Sequence, residues 1–125
     1  MKAASIREDI LRDTRYPVHR IADALLPYLR VLVEQFHPER VILFGSYAYG
    51  NPDQHSDVDL LIVKTMEKSS VSERRDILRA WRPIRWSAKS LPFELLVASP
   101  AEHEQRLAKG GSFYSSIARN GLLVA

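Results

Sequence analysis

Three short apolar runs, separated by polar and turn-forming segments, set the pattern of this chain. They are Val41-Ile42-Leu43-Phe44, then Val58 to Val63 with Asp59 as its one acid, then Phe93-Glu94-Leu95-Leu96-Val97. Each is short and bounded by Gly, Asp or Pro, so each reads as a strand. Helical spacing dominates elsewhere. Ile21, Leu25, Leu29, Leu32 and Phe36 form one stripe over a stretch from about Val18 to Phe36, which His37-Pro38 closes. Pro27 falls inside that stretch and is expected to kink or split it. Ser5-x-x-Glu8 and Ser70-x-x-Glu73 read as capping boxes, the second opening a helix that carries Ile77, Leu78 and Trp81. Ser99-Pro100-Ala101-Glu102 combines an N-cap Ser, Pro at the first helical position and Glu at the third. A last short helix near Phe113–Arg119 stops at Asn120-Gly121, and Leu122-Leu123-Val124 can add an edge strand. The order of elements predicts an α/β or α+β sandwich.

Composition narrows the picture. A chain of 125 residues, 46% hydrophobic and 26% charged, suits one domain with a single core. The absence of cysteine excludes disulfides, thiol catalysis and cysteine-ligated zinc. No apolar stretch reaches membrane-spanning length, and acids come too early in MKAASIREDILRD for a signal peptide. The expected location is therefore the cytoplasm, with no membrane partner.

The formal charge of +3 is unevenly spread. Residues 64–89 hold eight Lys/Arg (Lys64, Lys68, Arg74, Arg75, Arg79, Arg82, Arg85, Lys89) against three acids, whereas the rest of the chain has ten basic and twelve acidic residues. Such a block is either a solvated helix face or a surface for a nucleotide, an RNA or an acidic partner. Trp81 and Trp86 lie within it, suited to core packing or to an interface. His19, His37, His55 and His103 lack paired ligand spacing and suggest no metal.

The candidate chemistry sits where the first two strands meet their loops. Gly45-Ser46 is a small-residue turn able to approach phosphates, and Asp57-Val58-Asp59 follows ten residues later. In an extended strand residues i and i+2 share a side, so Asp57 and Asp59 are expected to converge with Val58 turned into the core. Two such carboxylates repel unless a cation lies between them, and Mg²⁺ takes oxygen ligands while leaving room for phosphates. Glu94 is an acid in an otherwise apolar strand, where an unpaired charge is costly. It is either a structural acid paired with an arginine or a third carboxylate for two Mg²⁺ ions and the candidate base.

The stretch Phe44-Gly45-Ser46-Tyr47-Ala48-Tyr49-Gly50, followed by Asp57-Val58-Asp59-Leu60-Leu61-Ile62-Val63, resembles the signature of the DNA polymerase beta-like nucleotidyltransferases. Within that superfamily the chain is similar to the minimal nucleotidyltransferases, small proteins usually paired with a helical HEPN partner. Phe93 to Glu102 resembles the strand with the family's third acid and its following helix start, and Gly111 to Gly121 matches the family's usual ending. The resemblance spans roughly residues 28–125. It implies a palm-like fold with a small mixed sheet of three to four strands, in a single domain over 1–125 with a helical segment at about 5–37. It also implies that Gly45 and Ser46 hold phosphates of ATP or another NTP, and that Asp57, Asp59 and Glu94 carry two Mg²⁺ ions. Tyr49 stands where family members often carry Arg, and Glu94 where Asp is frequent.

The expected activity is transfer of AMP to a hydroxyl of a partner protein, with the chain acting as antitoxin to a HEPN toxin in a hetero-oligomer. The size of the chain motivates this, since larger transferases carry extra domains for small-molecule or nucleic-acid acceptors. Transfer to an aminoglycoside-like molecule or RNA, and toxin neutralisation by binding alone, are the alternatives.

Overall fold

The strand Val58–Val63 (β2) is apolar on both faces apart from Asp59, and it lies inside the sheet. A computed structural model describes residues 4–87 and 90–125. Strand β1 (Arg40–Phe44) pairs antiparallel with β2, setting Phe44 opposite Asp59 and Arg40 opposite Val63. Strand β3 (Phe93–Ala98) pairs parallel on the other side, setting Asp59 opposite Glu94. The two-residue β4 (Leu122–Leu123) closes the far edge of β1, giving the order β3-β2-β1-β4. All four strands fall where the apolar runs predict, and the sheet is mixed.

Strand alternation divides the core in two. Val58, Leu60 and Ile62 join Val41, Leu43, Leu95 and Val97 under the helices α2 (Ala22–Val31) and α4 (Ser70–Ala80). There Trp81, fully buried, packs edge-on to Tyr28 at 5.1 Å between ring centres and donates its indole N–H to the Tyr28 carbonyl at 3.1 Å. Phe93 completes the cluster at 4.7 Å from Tyr28 and 4.5 Å from Trp81. On the other face Phe44, Leu61, Val63 and Ala98 pack with Tyr114 and Ile117 of α7 (Ser112–Asn120). A sheet covered on both faces explains the near-continuous apolar character of β2. Among the described residues, no helix is long and apolar enough to cross a membrane.

The helix starts divide into those set locally and those set by distant contacts. Ser99 caps α6 (Pro100–Lys109) with the full reciprocal box to Glu102, as its sequence predicts. The Ser70 box does not form: Ser69 caps α4 through the Ser72 N–H at 3.1 Å, and Glu73 is engaged instead by Lys64. The Ser5 box is also absent. Arg7 donates its N–H to the Val124 carbonyl at 2.8 Å, which holds this segment against the C-terminal strand, and α1 covers only Glu8–Leu11. Pro27 lies within α2 without ending it, because Leu25, Leu26, Tyr28 and Leu29 around it are all buried. The breaks fall at the ends instead, in a 3₁₀ turn over Pro17–Ile21 and a π turn over Leu32–Phe36 that His37 stops in a left-handed conformation (φ 49°).

Candidate active site

Gly45 ends β1 and opens the one-turn helix α3 (Ser46–Tyr49) with φ +74°, a conformation that L side chains rarely adopt. A Cβ built there would lie 2.0 Å from Asp59 Oδ2. The glycine is thus required twice, by the backbone turn and by the carboxylate pressed against its Cα. The same geometry places the α3 N-terminus, whose first N–H groups have no intrahelical acceptor, next to Asp59. The polar loop before β2 is held by its own bonds: Ser56 Oγ accepts from the Asp53 N–H at 2.8 Å, and Asp53 Oδ1 accepts from the His55 N–H at 2.8 Å. It leaves Asp57 exposed at the entrance to β2 and His55 in solvent.

The closest acid partnership differs from the one that alternation suggests. Asp57 precedes β2, so the in-strand spacing argument does not fix its direction. Asp59 and Glu94 are instead register partners across the β2–β3 ladder. Burial raises the Asp59 carboxyl to about 6; the Glu94 charge and a carboxyl–carboxyl hydrogen bond with Glu94 add to this, and the Asp57 charge contributes least. Glu94 itself is exposed, so the expected cost of burying it does not arise, and among the described residues it has no arginine salt bridge.

The donor set fits a divalent cation in its chemistry. Its oxygens are hard ligands, and Asp59 sits among like charges whose repulsion a cation would relieve. Asp59 and Glu94 form the close pair, with Asp57 acting on Asp59 from the loop side. Among the described residues, no three His, Asp or Glu side chains close into a preformed cage.

Two aromatic groups border this end of the sheet. Phe113 at the start of α7 is 57% exposed and meets Phe44, the residue before Gly45, edge-on at 5.8 Å. Sequence reasoning missed it; the signal was a Phe directly after Gly110-Gly111-Ser112. Tyr49 is exposed with its hydroxyl 3.5 Å from Ser116 Oγ, and Tyr47 packs half-buried on the core. His103 is buried against the Tyr114 hydroxyl at 2.8 Å, in keeping with a structural role.

A cavity of about 570 Å³ lies at the opposite end of β2, lined by Phe36, His37, Lys64, Lys68, Glu73 and Asp76 among others. Its two lysines are already paired, Lys64 with Glu73 and Lys68 with Asp76. Its size does not make it the reaction site, because the glycine turn and the Asp59–Glu94 pair are at the other end.

A glycine turn beside an acid pair, on a palm-like mixed sheet, defines a phosphoryl-transfer site of the nucleotidyltransferase class. The nucleotidyltransferase-domain family model matches residues 26–110, and the chain belongs to that family. It is also 40% identical over 60 residues to a Methanocaldococcus jannaschii protein named "Putative protein adenylyltransferase". That match spans 48% of this chain and 54% of the relative, so the chain aligns with about half of its length.

Proposed function

We propose that the chain transfers AMP from ATP to a hydroxyl of a partner protein, such as a tyrosine hydroxyl. The partner would be a HEPN-type toxin that the modification neutralises. The observation that carries this reading is the exposed Glu94 on β3, an edge strand, beside the half-buried Asp59. An acceptor on a large molecule can approach that edge without entering a closed pocket. The name of the archaeal relative supports protein as the acceptor class.

In the proposed step the acceptor oxygen attacks the α-phosphorus. The bond from that phosphorus to the bridging oxygen breaks, and pyrophosphate leaves with the electron pair. Glu94 takes the hydroxyl proton. Gly45 and Ser46 hold the β- and γ-phosphates against the α3 N-terminus. Asp57, Asp59 and Glu94 are the residues that would hold Mg²⁺, which supplies charge stabilisation to the attacking and leaving oxygens when bound. Tyr49, standing where an arginine is frequent in the family, favours one alternative: neutralisation by binding alone.

Intact-mass spectrometry of proteins that co-purify with the chain, before and after Mg²⁺ and ATP, tests the reading, with Asp59→Asn in parallel. An AMP-sized gain on a partner, absent with Asp59→Asn, is the expected result. A stable partner that gains no mass and is still neutralised by the variant would leave binding alone.

A further inference from the structure

Three of the cations in residues 64–87 gather around one cleft. Two of the segment's acids are taken: Glu73 pairs with Lys64, and Asp76 contacts both Lys68 and Arg79. Arg74, Arg82 and Arg85 instead line a cleft of about 480 Å³ whose other walls are Leu78, Pro92 and Phe93. Among the described residues none of these three arginines forms a salt bridge; Arg85 donates to the Leu91 carbonyl at 3.1 Å. Lys89, the last cation of the block, lies outside the described residues. Three like charges around one apolar-floored cleft repel one another, and an anionic occupant relieves that repulsion.

The cleft's position gives it a role. Phe93 lines it, and Glu94 is the next residue in β3, so their side chains leave opposite faces of the same edge strand. Their Cα atoms are about 3.8 Å apart. The sheet order puts the Gly45 turn on the β1 side of Asp59, whereas the arginine cleft reaches the sheet at Pro92 and Phe93, at the start of β3 on its other side. The Gly45 turn and the arginine cleft thus flank the Asp59–Glu94 pair from opposite strands, and the cleft borders the β3 edge. The helix α5 (Arg82–Ser87), which supplies two of the arginines, also presents Trp86, 82% exposed. A solvent-facing Trp beside arginines is a pairing common at the centres of protein interfaces.

We propose that the Arg74–Arg82–Arg85 cleft docks an acidic segment of the acceptor protein and so sets its hydroxyl at the β3 edge beside Glu94. This rests on the reading that the acceptor is a protein. Protein is favoured over nucleic acid because the positive surface is local: outside residues 64–89 the chain has more acids than bases, whereas nucleic-acid binders spread their charge along a backbone-length track.

The test is fluorescence anisotropy of the full chain with a labelled deca-glutamate peptide and, separately, a labelled oligouridine of equal charge. Wild type is compared with Arg74→Glu/Arg82→Glu, both at exposed positions, and with the control Arg20→Glu/Arg30→Glu, which changes net charge equally away from the cleft. The cleft variant should weaken peptide binding at least tenfold, the control less than threefold, with thermal midpoints unchanged. Equal loss in both variants, or no peptide binding, overturns the proposal. Tighter oligouridine binding with the same dependence on Arg74 and Arg82 assigns the cleft to nucleic acid and overturns it as well. Peptide binding with Asp59→Asn, in the absence of ATP, separates the two readings. Cleft-dependent binding without any protein modification removes the proposed reaction, whereas modification that ignores the cleft variant removes only the docking site.

Discussion

The two ends of β2 handle charge in opposite ways. At one end Lys64 and Glu73, both buried, neutralise each other, and the Lys64 ammonium also lies 5.7 Å from the Phe36 ring centre. At the other end Asp59 meets Glu94 with no cation between them. The first arrangement is complete within the fold. The second is a local conflict that a ligand would resolve, and unresolved charge of this kind marks function more reliably than charge alone.

The sharpest way to break the comparison is Asp59→Asn. It should cut nucleotidyl transfer by roughly 10³-fold or more, since a metal-held carboxylate carries several kcal/mol of transition-state stabilisation. Yet the metal-free protein should become more heat-stable, by a few degrees, because the neutral amide removes the repulsion with Glu94. Transfer assays and thermal melts in chelator read the two effects, and a destabilised variant would mean that Asp59 is structural.

At the other end Glu73→Gln should cost about 3–5 kcal/mol, by leaving Lys64 buried without its counter-charge. Replacing both partners, as Lys64→Met with Glu73→Leu, should recover most of that loss in urea unfolding. Activity per folded molecule should stay near wild type throughout, because the pair is remote from the acids.

Gly45→Ala joins the two themes at smaller scale. The positive φ costs about 1–2 kcal/mol in a residue with a Cβ, and the new methyl displaces the Asp59 carboxylate. Transfer should fall at least tenfold with only modest loss of stability, by the same pair of measurements.

The smallest effect is a pH dependence of opposite sign to the usual carboxylate. Asp59 holds its proton more tightly folded, to about 6, than unfolded, near 3.8. Its contribution to stability is therefore full below about 4 and is lost as pH rises through 6. Asp13, held to about 2 by Arg15, works in the other direction, losing its contribution as pH falls from about 4 toward 2. The informative curve is wild type minus Asp59→Asn in chelator. Solvent screening of this partly exposed group limits the difference to about 1 kcal/mol. A flat difference between pH 4 and 6.5 would remove the Asp59–Glu94 conflict.

Much of this was legible in the chain. The strands were written in short apolar runs, the Ser99 cap in adjacent residues, and the sharp turn after the first strand in Gly45. The misplaced features share a cause. Ser70 lost its cap role because Glu73 was claimed by a lysine on a neighbouring strand's end. Ser5 lost its box to a backbone bond with Val124. Pro27 was tolerated because tertiary burial on several sides outweighed its local cost. Trp81 and Trp86, nearly adjacent, took opposite fates, one fully buried and one 82% exposed, as the turn from α4 to α5 reversed the face presented.

The sequence by itself determined the local elements and the inventory of acids, because strand alternation, capping and turn chemistry act over a few residues. Only the tertiary structure decided which acids meet. The register of β2 against β3 set Asp59 beside Glu94, and the packing of α4 paired Lys64 with Glu73 while leaving Arg74, Arg82 and Arg85 around one cleft. Charge interactions depend on distance through space, and distance along the chain does not specify it.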